Sequence, residues 1–282
     1  MSKQQIGVVG AGTMGQGIAQ VLMTSGFEVQ IFDVSEAALE HARSNINKGL
    51  DKLVTKQRLN EEERQAAKQR LVTLTALEGL AGCEIIIEAA PETPDLKERL
   101  FRDLSTLAPD AILASNTSSL SLTRLAAVCD KPERVIGMHF FNPVPVLKLV
   151  EVIRAEQTSE ASVARIEALT EAMGKTAVAV ADMPGFAVNR LLVPMINEAA
   201  FLVQEGAATP EDIDAAMKLG AAHPMGPLTL GDMIGLDVCL AIMEVLYEGF
   251  GDSKYRPCPL LRRMVDAGYL GRKSGRGFHG YE

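Results

Sequence analysis

The sequence predicts an α/β protein in two parts: a mainly parallel sheet bearing a helical arm, then a smaller all-helical domain. Two observations carry that expectation. Short β-branched runs alternate with helical stretches from residue 5 to about residue 180, the pattern of parallel strands joined by crossover helices. Strand signals then stop after Met183-Pro184-Gly185. The expected strands cover residues 6–9, 28–32, 85–88, 111–114, 135–140, 149–154 and 176–181. Residues 35 to about 70 are polar, helical and longer than one crossover requires, so they are expected to project as an arm. Beyond the boundary, residues 186–204 read as an apolar helix. Thr209-Pro210-Glu211-Asp212 supplies an N-cap, a first-turn proline and acids at the positive end of a helix dipole. Helices over 211–219, 228–249 and 259–267 follow. The expected domains are therefore 1–183 and 184–282. The second is small and rich in Met, Leu, Ile and Ala, so it is expected to bury an apolar face against another copy of itself as a homodimer.

At 282 residues the chain suits one full domain and one smaller one. Hydrophobic residues at 47% and charged residues at 23% are ordinary globular usage and argue against disorder. A net charge of −8 argues against nucleic-acid binding, which needs a basic face to neutralise phosphates. No apolar run is long enough to span a bilayer, and the few residues ahead of Ile6 leave no room for a signal peptide. A cytoplasmic protein with no membrane partner is expected. Cys83, Cys129, Cys239 and Cys258 have neither CxxC spacing nor a histidine at metal spacing. They read as core residues of a reducing compartment, with no metal site.

The first strand runs into Gly10-Ala11-Gly12-Thr13-Met14-Gly15 and then into a helix. Between a strand and a helix, that glycine spacing is a dinucleotide cradle. Gly10 permits the tight turn, Gly12 lets the backbone approach a pyrophosphate and Gly15 lets the helix close on the strand, with the phosphates at the helix start around Thr13 and Met14. The next strand ends at Asp33, near the offset at which a carboxylate accepts from ribose hydroxyls. Asp33 would repel the extra phosphate of NADP, and no arginine follows it directly, so NAD is the expected cofactor on a Rossmann-type sheet. Asp33 taken alone also suits a plain helix cap. FAD uses the same fingerprint, but the chain is short for a flavoenzyme.

Strands 135–140 and 149–154 are joined by a link with two prolines that suits a chain reversal. If they are neighbours, His139 faces Glu151. A dehydrogenase needs a base for the hydroxyl proton, and a histidine oriented by a carboxylate serves both directions of the reaction. Spacing alone allows equally a buried structural histidine and an exposed carboxylate. Ser115-Asn116-Thr117-Ser118-Ser119 follows a strand at the sheet end where open α/β folds place ligands, and it also suits a helix cap. Asn189 is polar in an apolar helix near the expected domain junction, and it also suits a helix surface.

Residues 10–15 with Asp33, the Ser115–Leu120 segment, Met138-His139-Phe140-Phe141-Asn142-Pro143, Leu149-Val150-Glu151 and residues 184–190 resemble, in order, the motifs of the 3-hydroxyacyl-CoA dehydrogenase family. The resemblance spans nearly the whole chain. Its tail, Gly271-Arg272-Lys273-Ser274-Gly275-Arg276-Gly277-Phe278, resembles the bacterial 3-hydroxybutyryl-CoA branch, including members that serve phenylacetate breakdown. The resemblance implies NAD-dependent oxidation of an L-(S)-3-hydroxyacyl-CoA such as 3-hydroxybutyryl-CoA or 3-hydroxyadipyl-CoA. It implies His139 as general base, Glu151 as its orienting partner, and Ser118 and Asn189 as donors to the reacting oxygen. Glu92, Lys97 and Asn116 are placed along the nicotinamide half of NAD.

Lys48, Lys52 and Lys56 recur at four-residue spacing on one helix face. Gly49 and Leu50 are expected to leave that face open to the phosphates of an acyl-CoA, and the resemblance implies Lys56 as a contact. A solvated face is the ordinary reading of such a stripe. The basic tail around Arg272, Lys273 and Arg276 suits a cap on the substrate cleft or on a subunit interface, and a solvated turn is the ordinary reading of such a glycine-rich tail. Two rivals remain on this scaffold: a dehydrogenase of a free hydroxy or sugar acid, and a non-catalytic NAD-binding protein.

Overall fold

Along residues 4–182 the chain forms β1 (Gln5–Val9), α1 (Thr13–Thr24), β2 (Glu28–Phe32), α2 (Glu36–Thr55), α3 (Glu61–Gln69), β3 (Leu71–Leu74), β4 (Ile85–Glu88), α4 (Pro94–Leu107), β5 (Ile112–Ser115), α5 (Leu122–Ala127), β6 (Val135–Phe140), β7 (Leu149–Arg154), α6 (Glu160–Ala172) and β8 (Thr176–Ala181). The structure is a computed structural model that describes residues 4–281. Residues 1–3, part of the segment judged too short for a leader, lie outside the described residues. The chain divides into two units between Asp182 and Met183.

In the first unit, the strands form one eight-stranded sheet of order β3-β2-β1-β4-β5-β6-β7-β8. All neighbours are parallel except β6 and β7, which reverse through a turn in which Val146 N and Leu147 N both donate to Pro143 O. β4 is buried at every residue, which is why it reads as a continuous isoleucine run rather than an alternating one. Ile6, Val8, Ile31, Ile85, Ile87, Ile136 and Met138 share one core with Ile18 and Leu22 of α1.

Three expectations about this unit are corrected. β3 was not foreseen: it is a four-residue edge strand with no fully buried residue, so no apolar pattern announces it. The fourth expected strand is shifted by one, because Ser115 pairs with Glu88 and Gly137 as the last residue of β5. Residues 35–70, expected as an arm, are anchored to the sheet core along α2. They form α2 and α3, joined at a capping box in which Asn60 and Glu63 exchange hydrogen bonds. Leu39, Ala42, Ile46 and Leu50 of α2 lie in the sheet core, and a side chain on Gly49 would meet Gln20 of α1 at 2.2 Å. Gly49 and Leu50 thus serve helix-to-helix packing and leave no open face. Lys48, Lys52 and Lys56 are exposed.

The second unit contains α7 (Val188–Gln204), α8 (Pro210–Gly220), α9 (Pro227–Ile234), α10 (Leu236–Phe250) and α11 (Pro259–Asp266). α7 starts two residues later than expected, after Gly185 and Phe186 turn through positive φ (73° and 51°). The single helix expected over 228–249 is broken at Gly235, whose φ of 107° no helix accommodates. Val193, Ile196 and Ala200 of α7 pack with Leu236, Cys239, Met243, Leu246 and Leu261.

The tail is more firmly held than its composition suggests. Asp232, 1% exposed, accepts from Phe278 N, His279 N and Tyr281 Oη, each at 2.9 Å. Asp214, 4% exposed, accepts from Leu228 N, from Thr229 and from His279 Nε2. Burial opposes ionisation of Asp214, but these donors outweigh it and hold its carboxyl below the usual carboxylate range. A depressed folded-state value stabilises above the unfolded pKa, about 4 for Asp, and that stability is lost as pH falls through the folded value. Asp214→Asn should therefore melt lower at neutral pH and show a shallower acid dependence than the parent in thermal melts; an unchanged acid slope would contradict this.

Candidate active site

The cradle follows from where β1 stops. Gly10 has φ of 98° and donates its N–H to Phe32 O at 2.8 Å. A side chain there would press on Ala89 O at 2.7 Å. Gly12 is the N-cap of α1, which has no capping side chain and no acid in its first turn, so the helix start is left for an outside anion. A Cβ on Gly12 would meet nothing within 4 Å, whereas one on Gly15 would fall 1.8 Å from Gly10 O. Thr13 and Met14 open the helix. Asp33 leans on this loop: its Oδ2 accepts from Ala11 N at 2.8 Å and its Oδ1 from Ser35 N at 2.9 Å. Each oxygen keeps capacity for a further donor such as a ribose hydroxyl. Uncapped N–H groups, open space at Gly12 and an oriented carboxylate fit NAD.

The two glycines should separate in experiment. Gly12→Ala should fold and melt normally yet bind NADH about tenfold or more weakly, because its methyl intrudes only on ligand space; Gly15→Ala should lose binding and melt lower, because it must displace Gly10. Fluorescence titration with NADH and thermal melts check both, and normal binding by Gly12→Ala would contradict the cradle.

At the C-terminal ends of β4 and β5 lies a buried charge network that sequence reading found only in part. Glu88, fully buried at the end of β4, accepts from Lys97 Nζ at 2.5 Å, Ala90 N at 2.6 Å and Ser115 Oγ at 2.6 Å. Lys97, 1% exposed, also reaches Ala90 O at 3.1 Å and Glu92 Oε2 at 3.2 Å. Lys97 thus ties the loop that carries Glu92 to the buried end of β4. Glu92 Oε1 in turn accepts from Thr117 Oγ1, Ser118 N (2.9 Å), Ser119 N (3.1 Å) and Ser119 Oγ (2.9 Å). Burial disfavours its charge, but the Lys97 ammonium and these donors prevail and hold its carboxyl below the usual range. Glu92 is the clamp that fixes the loop carrying Ser118.

One strand further, His139 of β6 stands directly opposite Glu151 of β7. His139 Nδ1 and Glu151 Oε2 are 2.7 Å apart, with the two residues 5% and 1% exposed. A carboxylate only accepts, so Nδ1 carries the hydrogen that meets Glu151. Phe141 packs against the imidazole with ring centroids 4.6 Å apart. Asn116 Oδ1 accepts from Phe140 N at 2.9 Å, tying the serine-rich loop to the residue after His139.

Residues 5–183 match the NAD binding domain of 3-hydroxyacyl-CoA dehydrogenase, and residues 185–281 match the C-terminal domain of the same family. The chain belongs to the 3-hydroxyacyl-CoA dehydrogenase family. A probable 3-hydroxybutyryl-CoA dehydrogenase of Bacillus subtilis (strain 168) is 54% identical, covering 100% of this chain and 99% of its own length. The 3-hydroxybutyryl-CoA dehydrogenase of Bradyrhizobium diazoefficiens is 50% identical over 99% of this chain and 95% of that protein. The crystal structure of (S)-3-hydroxybutyryl-CoA dehydrogenase PaaH1 from Ralstonia eutropha superposes with a TM-score of 0.97 at 50% identity, covering 100% of both chains. As a member of this family the chain is an oxidoreductase, and its first unit is the NAD-binding one.

Within that unit, Glu92, Lys97, Asn116, Ser118, His139 and Glu151 converge on the ends of β4 to β7 through the contacts above. Lys56 stands apart, exposed as the C-cap of α2. Asn189 is the second residue of α7, half-buried in the second unit. Among the described residues, no group of acids, histidines and cysteines could hold a metal ion, and no helix is long and apolar enough to cross a membrane. Glu88 had a signal that was not used: it is a carboxylate closing an all-isoleucine strand, which demands a buried cationic partner.

Proposed function

We propose that the chain catalyses the reversible oxidation of an L-(S)-3-hydroxyacyl-CoA, such as 3-hydroxybutyryl-CoA or 3-hydroxyadipyl-CoA, to the 3-ketoacyl thioester. The buried His139–Glu151 pair carries this reading, and relatives of 50% identity and above named for 3-hydroxybutyryl-CoA support the thioester. NAD, when bound, supplies the hydride acceptor. Gly10, Gly12, Thr13, Met14 and Gly15 would hold its phosphates, Asp33 would accept from the ribose, and Glu92, Lys97 and Asn116 would lie along the nicotinamide half. His139 Nε2 takes the proton from the 3-hydroxyl, and Glu151 fixes the ring and stabilises the imidazolium that forms. In the reverse direction the same nitrogen returns the proton. Ser118 and Asn189 donate to the oxygen at C3, and the exposed Lys56 meets a phosphate of coenzyme A.

A homodimer through the helical unit is supported by the large apolar side chains it exposes: Leu191, Leu219, Val238 and Tyr247 are 77%, 88%, 41% and 43% accessible. Four free cysteines, three of them buried, support a reducing compartment, the cytoplasm.

A second reading has one observation in its favour. A diketoreductase at 28% identity and a pyridine carboxylic acid dehydrogenase at 31% share the fold, with TM-scores of 0.87 and 0.80. The comparison of acetoacetyl-CoA with free acetoacetate separates the two. The thioester should be preferred by about 100-fold or more in kcat/KM, since binding energy from the remote coenzyme A is spent at the reacting centre; equal values would favour the free-acid reading.

A further inference from the structure

The loop between β6 and β7 is held from two sides by residues that the mechanism above leaves unused. Inside the loop, Pro143 O accepts from Val146 N and Leu147 N, and Lys148 O accepts from Thr176 N at 2.8 Å. The carbonyls of Val144 and Leu147 are taken by the ammonium of Lys175, each at 2.6 Å. Lys175 is 9% exposed, and burial pushes its pKa down. A cation is an unfavourable occupant of such a place unless its donors are needed there. On the opposite side, Val144 is 2% exposed and rests on α1. A Cβ on Gly17 would approach Val144 Cβ to 3.0 Å and Cγ2 to 3.2 Å. Gly17 lies two residues beyond Gly15, so the loop sits on the helix whose first turn forms the cradle. The same loop starts two residues after His139 and ends three before Glu151.

We propose that Lys175 is a positioning residue: by pinning the carbonyls of Val144 and Leu147 it seats the loop on Gly17, and so sets the His139–Glu151 pair against the helix that carries the cofactor phosphates. The physical path is contiguous, from ammonium to loop backbone to Val144 to α1. This inference rests on the proposed function, in which His139 is the base. Geometry at the reacting centre is the quantity it controls, because a displacement near 1 Å costs about 100-fold in rate.

The test compares Lys175→Met, which keeps the apolar stem and removes the donors, with Lys175→Arg, which keeps charge and donors. Acetoacetyl-CoA reduction by NADH is followed in the full chain beside wild type and His139→Gln, which establish the reading itself. Lys175→Met should lower kcat by about 10- to 100-fold with the NADH dissociation constant changed less than about threefold, and Lys175→Arg should recover most of the loss. Gly17→Ala, which pushes the loop off its seat while Lys175 is intact, should lower kcat in the same way, and Gly17→Ala combined with Val144→Gly, which removes both the Cβ and the Cγ2 that the new methyl would meet, should restore it. These two variants decide the matter should Lys175→Met not fold. A folded Lys175→Met with wild-type kcat and only a lower melting temperature would overturn the positioning role, as would wild-type kcat in Gly17→Ala. Neither result would touch the assignment of His139, because wild type and His139→Gln report on that separately.

Discussion

Replacing His139 by Gln is expected to lower turnover of acetoacetyl-CoA by about 1,000-fold while NADH binds almost as tightly as before. General acid–base catalysis by a placed side chain is worth about 100- to 10,000-fold, and the surroundings of His139 favour the upper part of that range. Its Nδ1 is committed to Glu151 at 2.7 Å, so tautomer and ring orientation are set before substrate arrives. Glutamine fills similar space but cannot accept and return a proton at this pH. Binding should survive because the cradle is built on β1, α1 and Asp33, whereas His139 lies on β6 opposite Glu151. Stopped-flow turnover beside fluorescence titration of NADH gives both numbers. A His139→Gln enzyme within about tenfold of wild type would remove the imidazole from the role of base.

Lys97→Met should be strongly destabilising. Lys97 and Glu88 are both about 1% exposed in their side chains and 2.5 Å apart. Removing the ammonium leaves the Glu88 carboxylate buried with only Ala90 N and Ser115 Oγ. Breaking a buried pair from one side costs about 3–5 kcal/mol, whereas neutralising both partners is far milder. The melting temperature should fall by about 10 °C in Lys97→Met, and Lys97→Met with Glu88→Gln should recover most of that. Turnover of the single variant should also drop, since Glu92 loses its cationic partner and with it the grip on Ser118 and Ser119. Equal melting temperatures for the single and double variants would show that the pair is not the source of the loss.

What could be read from the sequence divides along a physical line. The glycine loop, the strand before it and the Asp33 that follows are local, and each residue type answers a backbone or ligand requirement within about two dozen positions. The facing of His139 and Glu151 was legible only as a condition, that the strands on either side of the proline-bearing link be neighbours, and the antiparallel register of β6 and β7 meets it. The Glu88 network was not, since its partners lie 9 and 27 residues away and meet only when β4, β5 and α4 are assembled. The same holds for Asp214 and Asp232, whose tail partners lie 46 to 65 residues downstream. Gly49 looked like an opening in a helix face but is a point of close approach to Gln20; composition cannot distinguish the two, because both call for a missing side chain. β3 and the break at Gly235 were obscured by weak burial and by an apolar pattern that continues across the glycine.

The most direct test of the account is the loss of NADH absorbance on mixing the purified chain with acetoacetyl-CoA, run beside NADPH. The account expects NADH to be consumed at an ordinary enzymatic rate, about 1 to 1,000 per second, and NADPH to be consumed much more slowly because Asp33 faces the extra phosphate. Tight binding of NADH with no consumption, on acetoacetyl-CoA and on longer 3-ketoacyl thioesters alike, would contradict it.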